Sequence, residues 1–131
     1  MFLGNIPSSA APIAQTHASA TTEATTTNTG APVLLNAMTL TPGEGTYLML
    51  FSASLKTSSN NNGVTITPYV GGAAIPEAVA TFFTNNNVNI ESAMTHAVLV
   101  VGAGQAVEIR WHVTGATGSA FARYLTLIKL V

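Results

Sequence analysis

From residue 33 onward, short runs of extended-type residues alternate with turn signals, the pattern of a β-sandwich or barrel. Val33 to Thr41 is closed by Pro42-Gly43, and Thr46 to Lys56 by Ser58-Ser59-Asn60-Asn61-Asn62-Gly63. Val64 to Val70 ends at Gly71-Gly72, and Glu77 to Thr84 at Asn85-Asn86-Asn87. Asn89 to Val101 ends at Gly102-Ala103-Gly104, Ala106 to Thr114 at Gly115 to Ser119, and Ala120 to Leu130 closes the chain. Upstream, residues 21–31 are rich in threonine, whose branched Cβ favours extended backbone, and predict a polar edge strand ending at Asn28-Thr29-Gly30. No window holds a helical 3.6-residue period. The alternative for Pro76 to Phe83 is a short helix with Pro76 in its first turn. Residues 1–20, broken by Pro7 and Pro12, read as an extended N-terminal arm, and residues 21–131 as one β-sandwich domain.

These strands are of two kinds. In the sixth run Val107, Ile109, Trp111 and Val113 face one way, while Glu108, Arg110, His112 and Thr114 face the other. The third run sets Val64, Ile66 and Val70 against Thr65, Thr67 and Tyr69. Such strands have one face in a core and one in water. The second run is different. Tyr47, Met49 and Phe51 lie on one face, and Leu48 and Leu50 on the other. Ala97 to Val101 is apolar throughout, and the last run has Leu125 and Leu127 on one side with Tyr124, Ile128 and Leu130 on the other. A two-layer sandwich buries only one face of each sheet. A sheet that is apolar on both faces needs a second cover, either another copy of the chain or the N-terminal arm.

Composition narrows the chemistry. Charged residues are 7% of the 131, against about 25% in ordinary domains. Four Lys/Arg give a net charge of −1, too little basic surface for an electrostatic nucleic-acid binder. The absence of Asp and Cys removes Asp-based triads, EF-hand loops, disulfides, thiolate nucleophiles and Cys-zinc sites. No apolar run approaches the roughly 18 residues of a membrane helix. The expectation is a non-enzymatic structural or binding protein that needs no cofactor.

Three motifs carry a family resemblance. Leu40-Thr41-Pro42-Gly43 followed by Gly45-Thr46-Tyr47-Leu48-Met49-Leu50-Phe51-Ser52 resembles an early strand of the C1q/TNF-like jelly roll. Val101 to Arg110 resembles that family's late hairpin, and Arg123 to Leu130 its closing strand. The resemblance covers residues from about 20 to 131, and each motif is weak by itself. It implies an antiparallel two-sheet jelly roll assembling as a homotrimer. The second, fifth and seventh runs would lie in the inner sheet that forms the threefold seam, and the half-polar strands in the outer sheet. Within the family, the Ala/Thr/Asn/Gly richness, the lack of Cys and the short prolinous arm look most like a bacteriophage capsid decoration (cement) protein. That implies a virion protein on the outer capsid surface, assembled in the host cytoplasm with the major capsid protein as partner. The alternative is a carbohydrate- or receptor-binding trimeric head.

On this reading Tyr47, Met49, Phe51 and Tyr124 are candidates for the trimer seam, although parity leaves open which face of the second run turns to the axis. Phe2, Leu3, Ile6 and Ile13 are candidates to anchor the arm to the capsid. His96 and His112 sit on strands consecutive in sequence and could meet at a metal; the plainer reading is two strand residues. Glu108, Arg110 and His112 form a charged stripe without a nucleophile, which reads as a solvated sheet face. The Asn60-to-Gly63 and Asn85-to-Asn87 tips read as turn chemistry, with glycan binding as the alternative. Gly102-Ala103-Gly104 resembles the start of a dinucleotide fingerprint, but position 107 is Val107 and a strand follows, so a hairpin turn is expected.

Overall fold

A computed structural model describes residues 14–84 and 89–131. They form two antiparallel sheets packed face to face as a jelly-roll sandwich. The strands are β1 (Gln15–Ala20), β2 (Ala24–Thr26), β3 (Val33–Leu40), β4 (Gly45–Thr57), β5 (Asn62–Val70), β6 (Ala73–Ala74), β7 (Ala80–Thr84), β8 (Glu91–Val101), β9 (Val107–Val113) and β10 (Gly118–Lys129). The first sheet runs β1-β10-β4-β8, with β2 also on β10. The second runs β3-β9-β5, and β5 then pairs with β6 and β7 at its two ends. The long doubly apolar runs, β4, β8 and β10, are neighbours in the first sheet. The strictly alternating β5 and β9 are neighbours in the second.

The alternation of β9 is realised in full: Val107, Ile109, Trp111 and Val113 are buried, and Glu108, Arg110 and His112 lie on the other face. Pro68 sits inside β5 without a backbone N–H to offer. It falls in the gap between the β7 partner, which ends at Ile66, and the β6 partner, which begins at Tyr69. Gly71 and Gly72 both have positive φ and close the tight turn to β6, a geometry glycine adopts without steric cost. At the opposite end the Thr57 and Thr84 hydroxyls hydrogen-bond to each other, joining β4 of one sheet to β7 of the other.

Four expectations are corrected. Residues 15–20 belong to the sheet and not to an arm: β1 pairs with β10 from Gln15↔Ile128 to Ala20↔Arg123. The period of this segment was obscured by small residues, Ala18 and Ala20, on its inward side. Residues 1–13, with Phe2, Leu3, Ile6 and Ile13, lie outside the described residues. The threonine-rich strand shrinks to β2, three residues long. The run from Glu77 splits into a 3-10 turn, Pro76–Ala78, and β7, so the proline starts a turn of helix before the strand begins. The polar face of β5 is not in water: Thr65 and Thr67 are buried, the Thr65 hydroxyl hydrogen-bonded to that of Thr81 on β7.

One side chain ties together the irregular parts of both sheets. Arg123 is only 1% exposed, and among the described residues no carboxylate pairs with it. Its Nε donates to the Asn36 carbonyl at 3.0 Å, and its Nη1 to the carbonyls of Thr22 at 2.8 Å, Phe121 at 2.8 Å and Ala120 at 3.3 Å. Each acceptor marks a break in a ladder. Thr22 lies between β1 and β2, Ala120 and Phe121 at the β10–β4 register shift, and Asn36 at the β3–β9 register shift beside Ala37, whose φ is +70°. Irregular backbone inside a sandwich leaves carbonyls without ladder partners, and a buried guanidinium with several donors supplies them. Burial lowers the pKa of Arg123 from its ordinary value.

Replacing Arg123→Met keeps the aliphatic stem and strands these carbonyls. A loss of about 3–5 kcal/mol in urea unfolding is expected, with the β1–β2 segment the first to exchange its amide protons. A loss below about 1 kcal/mol would mean that the guanidinium does not hold the breaks.

Candidate functional site

The site is the outer face of the first sheet. Along β4, Tyr47, Met49, Phe51, Ala53 and Leu55 are buried against the second sheet. Tyr47 also donates its hydroxyl to the Pro42 and Gly43 carbonyls at 3.1 and 3.0 Å. The alternate residues Thr46, Leu48, Leu50, Ser52 and Ser54 therefore face outward. On β8 the outward set is Ser92, Met94, His96, Val98 and Val100, and on β10 it includes Tyr124, Thr126 and Ile128.

Strand pairing aligns these residues in rows across the sheet. One row reads Gln15, Ile128, Leu48, Val98. The next reads His17, Thr126, Leu50, His96, and a third reads Ser19, Tyr124, Ser52, Met94. Thr46 with Val100, and Ser54 with Ser92, complete the two ends. Among the described residues these rows hold no Asp, Glu, Lys or Arg. Their titratable side chains are His17, His96 and Tyr124, and the His17 and Tyr124 rings lie 6.1 Å apart, tilted by 33°.

Large apolar side chains are exposed here to a degree that isolated domains rarely show as a cluster. Val100 is 79% exposed, Met94 73%, Val98 59% and Tyr124 54%. Met94 and Tyr124 stand between two hollows. One, of about 330 Å³, is lined by Leu50, His96 and Thr126. The other, of about 320 Å³, is lined by Ser52, Ser54, Ser92 and Ala122. The relief of tall and short side chains suits interdigitation with another surface.

Of the four side chains expected at an intersubunit seam, only Tyr124 lies on this face. Tyr47, Met49 and Phe51 fill the protomer's own core, with exposures of 4% or less. The outward residues that the sequence reading passed over as seam candidates are Leu48, Leu50, Met94, Val98, Val100 and Ile128. A signal for them was present. The Tyr47 face stays apolar through Ala53 and Leu55 before Thr57, whereas the Leu48 face already turns to Ser52 and Ser54. The face that stays apolar longer is the one the sandwich buries.

The other candidates are also placed. His96 and His112 lie on the outer faces of different sheets and do not meet, because β8 and β9 are joined in sequence but belong to opposite layers. Among the described residues no three His, Cys, Asp or Glu lie close enough to share a metal ion. No described helix is long and apolar enough to cross a membrane. On the second sheet's outer face Arg110 pairs with Glu108 at 2.7 Å and lies 4.0 Å over the Tyr69 ring. The hydrogen bond that Arg110 donates to Glu108 raises the Arg110 pKa. Gly102-Ala103-Gly104 is the β8–β9 turn, closed by Gln105, whose amide N donates to the Gly102 carbonyl and whose side-chain oxygen accepts from the Gly102 amide N. The Asn62 side-chain amide donates to Ser59 and Asn60 within its own turn, and its Oδ1 accepts from the Thr114 hydroxyl at 3.3 Å. Asn85 to Asn87 lie outside the described residues.

With this geometry established, the chain can be set beside known proteins. No family model matches the sequence, and no curated protein matches it. Solved structures do. The Eiger TNF from S. frugiperda superposes with a TM-score of 0.62 at 12% identity, covering 92% of this chain and 94% of that one. A chain of infectious bursal disease virus, Gt strain, superposes with a TM-score of 0.61 at 11% identity over 89% of this chain. The VP2 subviral particle of the same virus gives a TM-score of 0.57 at 9% identity over 88% of this chain. This chain spans about a third of the length of those viral chains, 33% in each case. At such identities the likeness is one of fold: a jelly roll shared with a TNF and with viral particle proteins.

The two faces of β4 make opposite stability predictions. Met49→Ala should cost about 2–5 kcal/mol in urea unfolding, because it opens a cavity in a packed core. Leu50→Ser, one residue along, should cost under about 0.5 kcal/mol at dilutions where the protomer is alone. Equal losses would contradict the assignment of faces.

Proposed function

We propose that this chain is a non-enzymatic structural protein of a virus particle, a homotrimer that decorates the outer capsid surface and stabilises the shell. The observation that carries the proposal is the uncharged, apolar outer face of the first sheet. Such a face is costly to leave in water and has no charged chemistry to perform. Association of copies through it would remove the exposed Met94, Val98, Val100 and Tyr124 from solvent. The shared fold with viral particle proteins supports the same direction, as does a surface with too few charges for electrostatic capture of partners.

In this reading the second sheet, with its Glu108–Arg110 pair, faces away from the seam. Phe2, Leu3, Ile6 and Ile13 bind the major capsid protein. Ala14, where the described chain begins, lies at the edge of the first sheet, its carbonyl accepting from the Lys129 amide N at 2.8 Å. Three arms carried on one trimer act together, since the first to bind raises the effective concentration of the others. The decoration protein then adds buried area between capsid subunits and raises the barrier to lattice rupture.

Light scattering at pH 8 should give a mass near three times the 13.4 kDa of one chain, unchanged between low and high salt. Val98→Asp, which places a charge in the face, should give a folded monomer. Deleting residues 1–13 should leave the assembly intact and abolish co-sedimentation with capsid shells. A monomer at every concentration overturns the trimer, and truncated trimers that still bind shells overturn the arm. Retention of the wild-type chain on a glycan array, without shell binding, would favour a carbohydrate-binding head instead.

A further inference from the structure

Two imidazoles stand in the middle of the three rows that cross the face: His17 on β1 at one edge and His96 on β8 at the other, with Thr126 and Leu50 between them. Met94 and Val98 flank His96 along its own strand, and Tyr124 neighbours His17. We propose that self-association through this face is gated by pH, with His17 and His96 as the switch, neutral in the assembled state and disruptive when protonated. The inference rests on the assembly reading above and adds its regulation.

The occupant of the face is a second copy of the chain. From Thr46 to Ser54 and across four strands, at about 3.4 Å per residue and 4.8 Å per strand, the face projects roughly 500 Å². In a trimer three such faces remove about 1,500 Å² from water in total, within the size range of specific interfaces. A face without fixed charges also meets a copy of itself without like-charge repulsion, which self-association requires.

The sign follows from what surrounds the imidazoles. The elements packed against His96 carry Lys56 at the far end of β4 and Glu77 on the 3-10 turn, where the Ala78 carbonyl accepts from Thr95. Glu91 on β8 and Lys129 on β10 have the core-facing parity of their strands. Against His17 lie Thr126 and Tyr124 of β10, and β3, which has no titratable side chain. No carboxylate lies within the rows to neutralise an imidazolium. Imidazole is the side chain that gains its charge between pH 8 and pH 5. Burying that charge without a partner is unfavourable, so the proton binds the separated copies better than the assembly. Association is therefore complete above the histidine titration range and is lost as pH falls through it.

The test is a concentration series by light scattering at pH 8 and pH 5, with near-UV circular dichroism as a check on the fold. The wild-type chain should associate at least about tenfold more weakly at pH 5 than at pH 8, because an unpartnered charge is buried on association. His96→Gln should reduce that difference, and the double variant His17→Gln/His96→Gln should remove it. His112→Gln, on the opposite sheet, should leave it unchanged. Equal association at both pH values overturns the switch and leaves the assembly standing. A pH effect that survives in the double variant, or unfolding before dissociation, overturns the switch as well. A monomer already at pH 8 overturns the assembly reading and this inference with it.

Discussion

A β-strand presents its side chains to two sides, but a two-layer sandwich has a single interior. That constraint organises this molecule. β4 carries large apolar residues on both parities, and the fold has to choose between them. Tyr47, Met49, Phe51, Ala53 and Leu55 go inside, where they meet Val64, Ile66, Ile109 and Trp111 of the second sheet in one core. Once that choice is made, pairing carries it across the sheet. Phe51↔Leu125 and Met49↔Ala97 place the inward residues of β10 and β8, and Leu48, Leu50, Val98 and Tyr124 are left outside. A slip of one residue would reverse every assignment.

The cost of wrapping two sheets from one chain is borne at their breaks. β10 receives β1 and β2 on the same side, shifts register against β4, and lies near the bulged β3. Arg123 answers all three irregularities with backbone hydrogen bonds and no carboxylate partner. A neutral side chain of similar length has too few donors to do this. In a chain with only four basic residues, one is spent wholly inside, which leaves the surface still poorer in charge. The clasp also keeps β10 aligned as a long central strand, so the outer face of the first sheet is continuous from β1 to β8.

The two outer faces differ in chemistry. The second sheet's outer face carries Glu108, Arg110 and His112, half-buried, beside the buried Thr65 and Thr67 of β5. The first shows methionine, valine, leucine and tyrosine, with Lys56 at the far end of β4 as the fixed charge of that parity. Jelly rolls serve unrelated functions, so fold alone assigns none. The asymmetry of the faces is what turns a shared architecture into an argument for association.

The division of strands into two kinds was legible in the sequence, because period-two alternation records how many faces of a strand meet apolar surroundings. It sorted β4, β8 and β10 from β5 and β9, and the resemblance to the C1q/TNF-like jelly roll implied that the two kinds lie in different sheets, as they do. Residues 15–20 were not legible, since alanine and serine alternate too weakly in size and polarity to mark a strand. Which parity of β4 is core was decided by the tertiary structure, through the register that matches Met49 and Phe51 to β8 and β10 over the second sheet. The separation of His96 from His112 was decided there too, because a turn joins strands in sequence without saying which layer each enters. So was the role of Arg123, whose acceptors lie up to 101 residues away along the chain. Local pattern reports the environment of a side chain on each face; only the folded arrangement says which environment is the protomer's own interior and which is left for another molecule.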